Sequence, residues 1–280
     1  MDSTIATHLE HAARTCAEAL RHTPSGLFSD FDGTLSVIAP TPPEAVFYEG
    51  ARDALERAAR CASVAGIITG RAVDDVLERV DVPDLLIVGN HGLEWFDGGQ
   101  RIDHEAGLAA EAGIKRTLAR TRERLEAIAE IDGMLFEDKR LSASIHYRNV
   151  ADPVAIGLQL LPIVEEEAAA NDLRVSGGKM LVELRPTAVV SKGTALEQIV
   201  RDRGLAGAVF FGDDVTDVDG FRALHRIREE GPVQTVAVAI RSPDVHPDVI
   251  AEADIVLEGV PDMVVVLHRI ADLLSDRKDA

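Results

Sequence analysis

The chain has 280 residues, of which 46% are hydrophobic, 28% charged and 4% aromatic, and its formal net charge at pH 7 is −19. This balance is typical of a globular protein with a sizeable core, in one large domain or two smaller ones. The negative charge repels polyanions and the low aromatic content leaves few stacking platforms, so we expect neither nucleic acid nor an anionic membrane as a partner.

Covalent and targeting signals are weak. The two cysteines, Cys16 and Cys61, lie far apart in alanine-rich stretches, which favours reduced thiols over a disulfide or a metal pair. The N-terminus has no apolar core of signal-peptide length, and no run approaches ~18 apolar residues. We therefore expect a monomer in the cytoplasm, without a membrane span.

The first hundred residues predict helices that alternate with strands apolar throughout, a pattern typical of a parallel sheet covered on both faces. The expected elements are a helix over 4–21, a strand over 26–31, a turn at 41–46, a helix over 49–61, a strand over 64–69, a helix over 70–80 and a strand over 85–92.

The middle of the chain mixes polar and apolar residues, which suits strands with one solvated face. The expected elements are a charged helix over 105–130, a strand pair over 134–149, a helix over 154–171 in which Pro162 could introduce a break, and a hairpin over 173–186 with a Gly-Gly turn.

After Pro186 the first pattern returns. Helices are expected over 192–204 and 261–276, and strands over 208–214, 235–240 and 254–259. The sequence thus predicts a discontinuous Rossmann-like α/β core with a parallel sheet, over 1–104 and 186–280, and an inserted α+β cap (lid) domain over 105–185.

Chemically active side chains follow the predicted core strands. Asp30, Thr69 and Asp213 each lie at the end of a strand, and Lys192 begins the helix before the Asp213 strand. Ligands of open parallel sheets bind beyond the carboxyl ends of the strands. Mg²⁺ takes Asp side chains, a backbone carbonyl and waters, and would neutralise the close pair Asp30 and Asp32 together with a phosphate. Because an Asp side chain can be a covalent nucleophile, these residues indicate phosphoryl transfer to a carboxylate.

Each motif alone is a weak signal. A lone pair such as Asp30 and Asp32 is most often a turn or two solvated acids. The segment GDDVTD at 212–217 could be an Asp-rich helix N-cap, and Lys192 could be a solvated surface lysine. Their shared order and placement favour one common site.

The segments DFDGTL, ITGR, KG and FGDDVTD occur in this order and resemble the four motifs of the haloacid dehalogenase-type phosphatases. The resemblance implies that Asp30 is the nucleophile, that Asp32 is first the general acid and then the base, and that Thr69 and Lys192 bind the phosphate.

The same resemblance implies a Mg²⁺ site. Its ligands would be Asp30, the backbone carbonyl of Asp32, and Asp213. Asp217 and Asp214 would support these ligands without binding the metal directly. The family pattern has Glu after GDDVTD, where this chain has Val218. That difference keeps related sugar phosphates open as substrates.

Three further segments resemble trehalose-6-phosphate phosphatases, namely GNHGLE at 89–94, FEDKRLSASIHYR at 136–148 and KMLVELRPTAVVSKG at 179–193. This resemblance implies hydrolysis of trehalose 6-phosphate in trehalose biosynthesis, under a lid in which Glu137, Lys139 and Glu183 grip the distal glucose. Residues 137 and 139 would share a strand face. From spacing alone, a cross-strand ion pair with Lys139 is the alternative.

Two core residues complete the substrate-binding candidates. Arg71 would brace the Thr69 turn or a lid carboxylate, and His91 would contact the ligand or bond to backbone in its turn. The alternative functions are a phosphatase for glucosylglycerol phosphate or sucrose phosphate, a phosphotransferase or mutase on the same fold, and a non-catalytic sensor. A trehalose-phosphate synthase of the same pathway is a candidate partner.

Overall fold

The computed structural model describes residues 3–178 and 180–275, without the side chains of Ser3, Thr4 and Gly178. Contacts divide the chain into two units, here termed the core unit (Met1–Arg101 with Val190–Ala280) and the cap unit (Ile102–Val189). The domain boundaries expected from the sequence, 104/105 and 185/186, fall a few residues inside the cap unit.

Most helices and strands of the structure lie close to the predicted ones, but the helices over 215–230 and 247–251 were not predicted. The helices are α1 Ser3–Leu20, α2 Ala51–Ala59, α3 Val73–Arg79, α4 Glu105–Glu126, α5 Pro153–Ala169, α6 Lys192–Asp202, α7 Val215–Glu230, α8 Pro247–Ala251 and α9 Val260–Ser275. The strands are β1 Ser25–Ser29, β2 Val64–Ile68, β3 Leu86–Gly89, β4 Glu94–Asp97, β5 Gln100–Asp103, β6 Leu135–Asp138, β7 Ala143–His146, β8 Leu173–Gly178, β9 Leu181–Pro186, β10 Gly207–Gly212, β11 Gln234–Ile240 and β12 Ile255–Leu257. None of the described helices is both long enough and apolar enough to cross a membrane.

The core sheet has the order β12-β11-β10-β1-β2-β3-β4-β5. The strands from β12 to β3 pair in parallel, and β4 pairs with β3 antiparallel. Strands β1 and β10 are buried along their whole length. The predicted parallel α/β sheet is confirmed.

Alternate side chains of β1 enter different hydrophobic clusters, which explains why the strand is apolar throughout. Leu27 packs in a cluster that includes residues of α1, α2 and α9, whereas Phe28 packs in one that includes residues of α6 and α7. Val218 lies in the second cluster and is buried. Val218, which stands where the family pattern has Glu, is therefore a residue of the hydrophobic core.

Three sequence-based expectations were wrong in detail. The hairpin of β4 and β5 was missed, although its turn carries the signal Gly98-Gly99, with φ angles of 54° and 82°. Pro162 lies inside the continuous helix α5. The two glycines expected to form a hairpin turn belong to β8. The next residue, Lys179, lies outside the described residues. Position 276, the last of the final predicted helix, also lies outside them.

The cap unit has its own antiparallel sheet, in the order β6-β7-β9-β8. One face packs against α4 and α5 in an apolar cluster that contains Ile114, Ile145, Leu160 and Val182. Because successive strand side chains alternate between faces, the opposite face carries Glu137, which is paired in register through Ser144 with Glu183.

Candidate active site

The centre of the site is a buried group of charges at the carboxyl ends of β1 and β10. The Nζ atom of Lys192, the first residue of α6, lies 3.0 Å from Oδ2 of Asp30 and 2.7 Å from Oδ1 of Asp217. Ser191 caps the helix with its side chain, which fixes where Lys192 begins it. The side chains of Lys192, Asp30 and Asp217 are 1%, 6% and 0% exposed. The sequence could not distinguish this arrangement from a solvated lysine, and the structure excludes the solvated one.

Burial dominates the proton affinities in this group. Desolvation raises the pKa of Asp30 to about 7, because the repulsion from Asp217 and Asp32 adds to it and Lys192 offsets only part. Burial also raises the pKa of Asp217, against the attraction of Lys192. Burial by itself lowers the pKa of Lys192, but Asp217 and Asp30 outweigh that effect, and the net shift is upward. The lysine is therefore a fixed positive charge.

Asp213, which follows β10, completes a set of three carboxylates. Oxygens of Asp30, Asp213 and Asp217 lie within 4.8 Å of one another. Burial raises the pKa of Asp213 well above its usual value, and Asp30 and Asp217 add to the shift. Such a set carries more negative charge than Lys192 can balance, and its oxygen donors suit a hard divalent cation.

Two residues of the nucleophile motif shape this set. The Thr34 hydroxyl donates to Oδ1 of Asp213 at 3.2 Å, so Thr34 braces a carboxylate. Gly33 has φ +77°, and a Cβ atom there would overlap the Asp213 carboxylate. Glycine is required at this position both by backbone conformation and by space.

Asp217 and Asp214 lie at the start of α7. Asp214 is the N-cap of the helix, as the N-cap interpretation of GDDVTD expected. Oδ2 of Asp217 accepts from the backbone N–H groups of Asp213 and Asp214, at 3.1 and 3.0 Å. The loop that carries Asp213 is thus held by the same carboxylate that binds Lys192.

Asp32 lies outside the buried group and has a different partner. Its carboxylate accepts from Nε and Nη2 of Arg71, both at 2.6 Å, and its side chain is 40% exposed. Arg71 also donates from Nη1 to Asp75 at 2.5 Å. The Arg71 guanidinium therefore binds two carboxylates of the core unit, and the backbone N–H of Arg71 donates to Oγ1 of Thr69 at 3.3 Å.

Backbone hydrogen bonds from the turn after β3 hold the loop that follows β2. His91 adopts φ +57°, and its backbone N–H donates to the Thr69 carbonyl at 2.9 Å. The Asn90 N–H donates to the Arg71 carbonyl at 2.7 Å. Glu94, which is buried, accepts from the Val73 N–H at 2.8 Å. These contacts show His91 bonded to backbone, and the expected ligand contact stays a prediction.

In the cap unit, each candidate carboxylate lies near basic side chains. Oε2 of Glu137 lies 3.1 Å from Nε2 of His146 and 3.8 Å from Nζ of Lys139. Oε2 of Glu183 lies 3.9 Å from Nε of Arg185. The ion pair weighed as the alternative therefore exists between Glu137 of β6 and Lys139 of the turn that follows it, rather than across strands.

Sequence reasoning missed Asp75 and Glu94 as site residues. Asp75 bonds to Arg71 of the ITGR segment, and Glu94 bonds to Val73 at the start of α3. Neither residue follows a parallel strand of the core sheet, so the rule that located the other residues does not apply to them. A usable signal for Asp75 was its position four residues after Arg71 and four before Arg79, which is typical of paired charges on a helix.

The fold and site define a protein with the haloacid dehalogenase-superfamily fold. A sugar phosphatase of subclass IIB of that superfamily superimposes with a TM-score of 0.54 at 17% identity, over 85% of this chain and 94% of that one. The C-terminal domain of the C. albicans trehalose-6-phosphate phosphatase superimposes with a TM-score of 0.75 at 20% identity, over 94% of this chain and 97% of that one.

The trehalose-phosphatase family model matches residues 28–253, and the chain belongs to that family. The trehalose-phosphate phosphatase of Mycobacterium avium (strain 104) is 35% identical over 81% of this chain. A protein of Mycobacterium tuberculosis (strain H37Rv) described as an uncharacterized glycosyl hydrolase is 38% identical over 71% of this chain. The chain spans only 57% of the first of these relatives and 15% of the second.

Proposed function

We propose that the protein hydrolyses trehalose 6-phosphate to trehalose and phosphate, with Mg²⁺ and through a phosphoryl group carried on Asp30. Membership of the trehalose-phosphatase family supports the substrate. The observation that carries the chemistry is the state of Asp30. It is buried beside Lys192, and its Oδ1 accepts no hydrogen bond from any described residue. A buried carboxylate oxygen without a donor is costly unless it binds a cation or substrate.

The residues fit a magnesium ion. Three buried carboxylates lie within 4.8 Å of one another, and Oδ1 of Asp30 has no other partner among the described residues. Asp30, Asp213 and the backbone carbonyl of Asp32 would hold the ion. Asp217 and Asp214 would support these ligands without binding the ion directly. When bound, Mg²⁺ supplies positive charge that stabilises the phosphoryl oxygens and the clustered carboxylates.

In the first half-reaction, an Asp30 carboxylate oxygen attacks the phosphorus of the sugar phosphate. A bond forms between Asp30 and phosphorus, and the bond between phosphorus and the sugar oxygen breaks. Asp32 gives its proton to that oxygen, which leaves as an alcohol. Lys192 and Thr69 would hold the phosphoryl oxygens.

In the second half-reaction, the Asp32 carboxylate accepts a proton from water. The water oxygen bonds to phosphorus as the bond to Asp30 breaks, and phosphate leaves. Asp32 ends protonated, as it began. The Arg71 guanidinium, which contacts the Asp32 carboxylate, would hold it in place for this step.

In the cap unit, Glu137, Lys139 and Glu183 are proposed to bind the sugar. Carboxylate acceptors and an ammonium donor can bond vicinal hydroxyls, and a site built this way rejects analogues that lack them. Glu137 and Glu183 share the polar face of the cap sheet, and Lys139 lies 3.8 Å from Glu137, which supports this role. Arg71 and His91 stay predictions as substrate contacts, as do a synthase partner, a monomeric state and a cytoplasmic location.

The fold alone does not establish catalysis. The C-terminal domain of a Candida albicans trehalose synthase regulatory protein superimposes with a TM-score of 0.68 at 8% identity. A sensor has no need of a nucleophile and an acid together, so the presence of Asp30, Asp32, Lys192 and Asp213 favours hydrolysis.

The test is phosphate release by the purified protein, with Mg²⁺ or with EDTA, from trehalose 6-phosphate, sucrose phosphate, glucosylglycerol phosphate and glucose 6-phosphate. We expect the highest kcat/KM for trehalose 6-phosphate and no release in EDTA. Asp30→Asn should abolish turnover, whereas Asp81→Asn, which removes an exposed core carboxylate, should not. A higher kcat/KM for another ester would contradict the substrate, and turnover by Asp30→Asn would contradict the nucleophile. Transfer of phosphate to added sugar instead of water would indicate a transferase.

A further inference from the structure

Three charged side chains, spaced four residues apart, form a continuous clip along α3. Oδ2 of Asp75 accepts from Nη1 of Arg71 at 2.5 Å. Oδ1 of Asp75 accepts from Arg79, at 2.7 Å from Nη2 and 3.1 Å from Nε. The side chains of Arg71, Asp75 and Arg79 are 8%, 28% and 19% exposed, so water screens this group less than a surface pair. We term these three residues the α3 clip.

Both ends of the clip hold the chain that follows the nucleophile motif. Arg71 binds the Asp32 carboxylate through two hydrogen bonds and donates from Nη2 to a backbone carbonyl of the segment 42–45, at 3.0 Å. Arg79 donates to two further carbonyls of the same segment, at 3.0 and 3.3 Å. Asp75 is the one residue of the clip that bonds to both arginines, so it sets the position of one relative to the other.

Asp32 depends on such a restraint more than the other acids of the site. Its side chain is 40% exposed, whereas those of Asp30 and Asp217 are 6% and 0% exposed and are held by Lys192. A general acid must reach the proton acceptor within about 2.6–3.2 Å, and a misplacement of about 1 Å can reduce the rate by as much as ~10²-fold. An exposed carboxylate in a loop meets that requirement only when its partners are fixed.

We propose that Asp75 is a positioning residue for the reaction, which acts through Arg71 to hold the Asp32 carboxylate where it exchanges a proton with the leaving oxygen. This inference rests on the proposed function, because it assumes that Asp32 is the acid. It adds a residue outside all four sequence motifs, and it assigns the Arg71 guanidinium a role at the acid in addition to any contact with substrate.

The test is Asp75→Asn, which keeps the shape of the side chain and removes its charge. It is measured on an alkyl ester, trehalose 6-phosphate, and on p-nitrophenyl phosphate, whose leaving group needs little protonation. The parameter is kcat/KM, which reports the step that forms the phosphoryl group on Asp30. We expect a fall of roughly 10-fold or more for trehalose 6-phosphate and of less than about 3-fold for p-nitrophenyl phosphate, since a positioned acid contributes about 10²–10⁴-fold.

The matched control is Asp74→Asn, the same substitution at the preceding residue of α3. Asp74 binds Arg101 at the surface, and its side chain is 74% exposed. We expect kcat/KM of this variant to stay within about 2-fold of the wild type on both esters, because exposed ion pairs contribute little. Melting curves of both variants show whether the fold is retained.

A second comparison separates positioning of Asp32 from direct sugar binding by Arg71. In an Asp32→Asn background, Asp75→Asn should cause no further loss on trehalose 6-phosphate, since residues that act through one another are not additive. A further loss in that background would overturn the inference, as would an equal loss on both esters or no loss on either. Should Asp75→Asn not fold, Arg79→Gln removes the other partner of Asp75, and the same criteria apply to it.

The wild-type measurements decide the proposed function separately. If the wild type prefers another sugar phosphate, the proposed substrate is wrong, and the ratio between variant and wild type is measured on that ester with the same expectation. If Asp32→Asn itself shows no selective loss on the alkyl ester, Asp32 is not the acid and the inference fails with it.

Discussion

Replacing Lys192 by Met would remove the cation that contacts both Asp30 and Asp217 while keeping a side chain of similar length. Lys192 is 1% exposed, and its Nζ lies 3.0 and 2.7 Å from the two carboxylate oxygens. The variant therefore creates no large cavity, but it leaves two buried carboxylates without their cationic partner. We expect a strong loss of stability in the metal-free protein.

The size of the loss follows from the geometry. At these distances and an effective dielectric constant of about 20, each contact contributes roughly 5–6 kcal/mol of Coulomb attraction, much of which offsets desolvation. Breaking a buried pair by removing one partner typically costs about 3–5 kcal/mol. At about 2–4 °C per kcal/mol for a domain of the core unit's size, the melting temperature should fall by roughly 6–20 °C.

The loss should also depend on pH in a defined window. Asp30 has its pKa raised to about 7 in the wild type, and a carboxyl with a raised folded-state pKa loses stability as pH rises only up to that pKa. Without Lys192 the pKa of Asp30 rises further, so the variant continues to lose stability above pH 7 where the wild type does not. The difference in unfolding free energy should therefore be constant below about pH 7 and widen above it.

The assay is thermal and urea unfolding in EDTA from pH 5 to 9, with Lys115→Met as the control. Lys115 lies 2.7 Å from Glu111, but its side chain is 53% exposed, so the same substitution should shift the melting temperature by less than about 2 °C. The argument fails if Lys192→Met melts within about 2 °C of the wild type. It also fails if the difference narrows between pH 7 and 9.

Three further predictions concern the metal, the cap and the nucleophile loop. Mg²⁺ at a hundred times its Kd should stabilise the protein by about 2.7 kcal/mol. At one fixed Mg²⁺ concentration the stabilisation should be larger at pH 8 than at pH 6, because protons compete for Asp30. Equal stabilisation by NaCl of matched ionic strength would contradict a specific site. Glu137→Gln and Glu183→Gln should each raise KM for trehalose 6-phosphate by roughly ten-fold or more in steady-state assays, as expected for lost charged hydrogen bonds, whereas Asp138→Asn should not. Gly33→Ala should lower the unfolding free energy by more than about 1 kcal/mol, because φ at this position is +77° and the added methyl overlaps the Asp213 carboxylate. The same overlap should weaken Mg²⁺ binding measured by calorimetry, and unchanged binding would refute the packing argument.

The sequence predicted the core residues of the site because one rule of topology places them. Strands β10, β1 and β2 are parallel neighbours, so the residues after Gly212, Ser29 and Ile68 must meet at one edge. Apolar runs reveal such strands without any knowledge of side-chain contacts. The positions of Asp213, Asp30 and Thr69 could therefore be read from the order of elements alone.

The partners of each charge could not be read in that way. A threonine at position 34 can bond either local backbone or a carboxylate, and only the position of the neighbouring strand decides that it donates to Asp213. Arg71 was expected to brace the Thr69 turn or a lid carboxylate. Its guanidinium binds Asp32 and Asp75, and only its backbone N–H contacts the Thr69 side chain. An arginine has five donors, and sequence spacing does not assign them.

The cap residues show where this kind of prediction ends. Glu137 and Lys139 were expected to share a strand face, but only Glu137 belongs to β6, and Lys139 begins the turn that leads to β7. The side chains still lie 3.8 Å apart, because Lys139 N–H bonds back to the Ser142 carbonyl and keeps the hairpin closed. An ion pair and a sugar site therefore have the same geometry here. What separates them is whether hydroxyl groups can replace the partner of each charge, so the change in KM of Glu137→Gln, and not any distance, distinguishes the two roles.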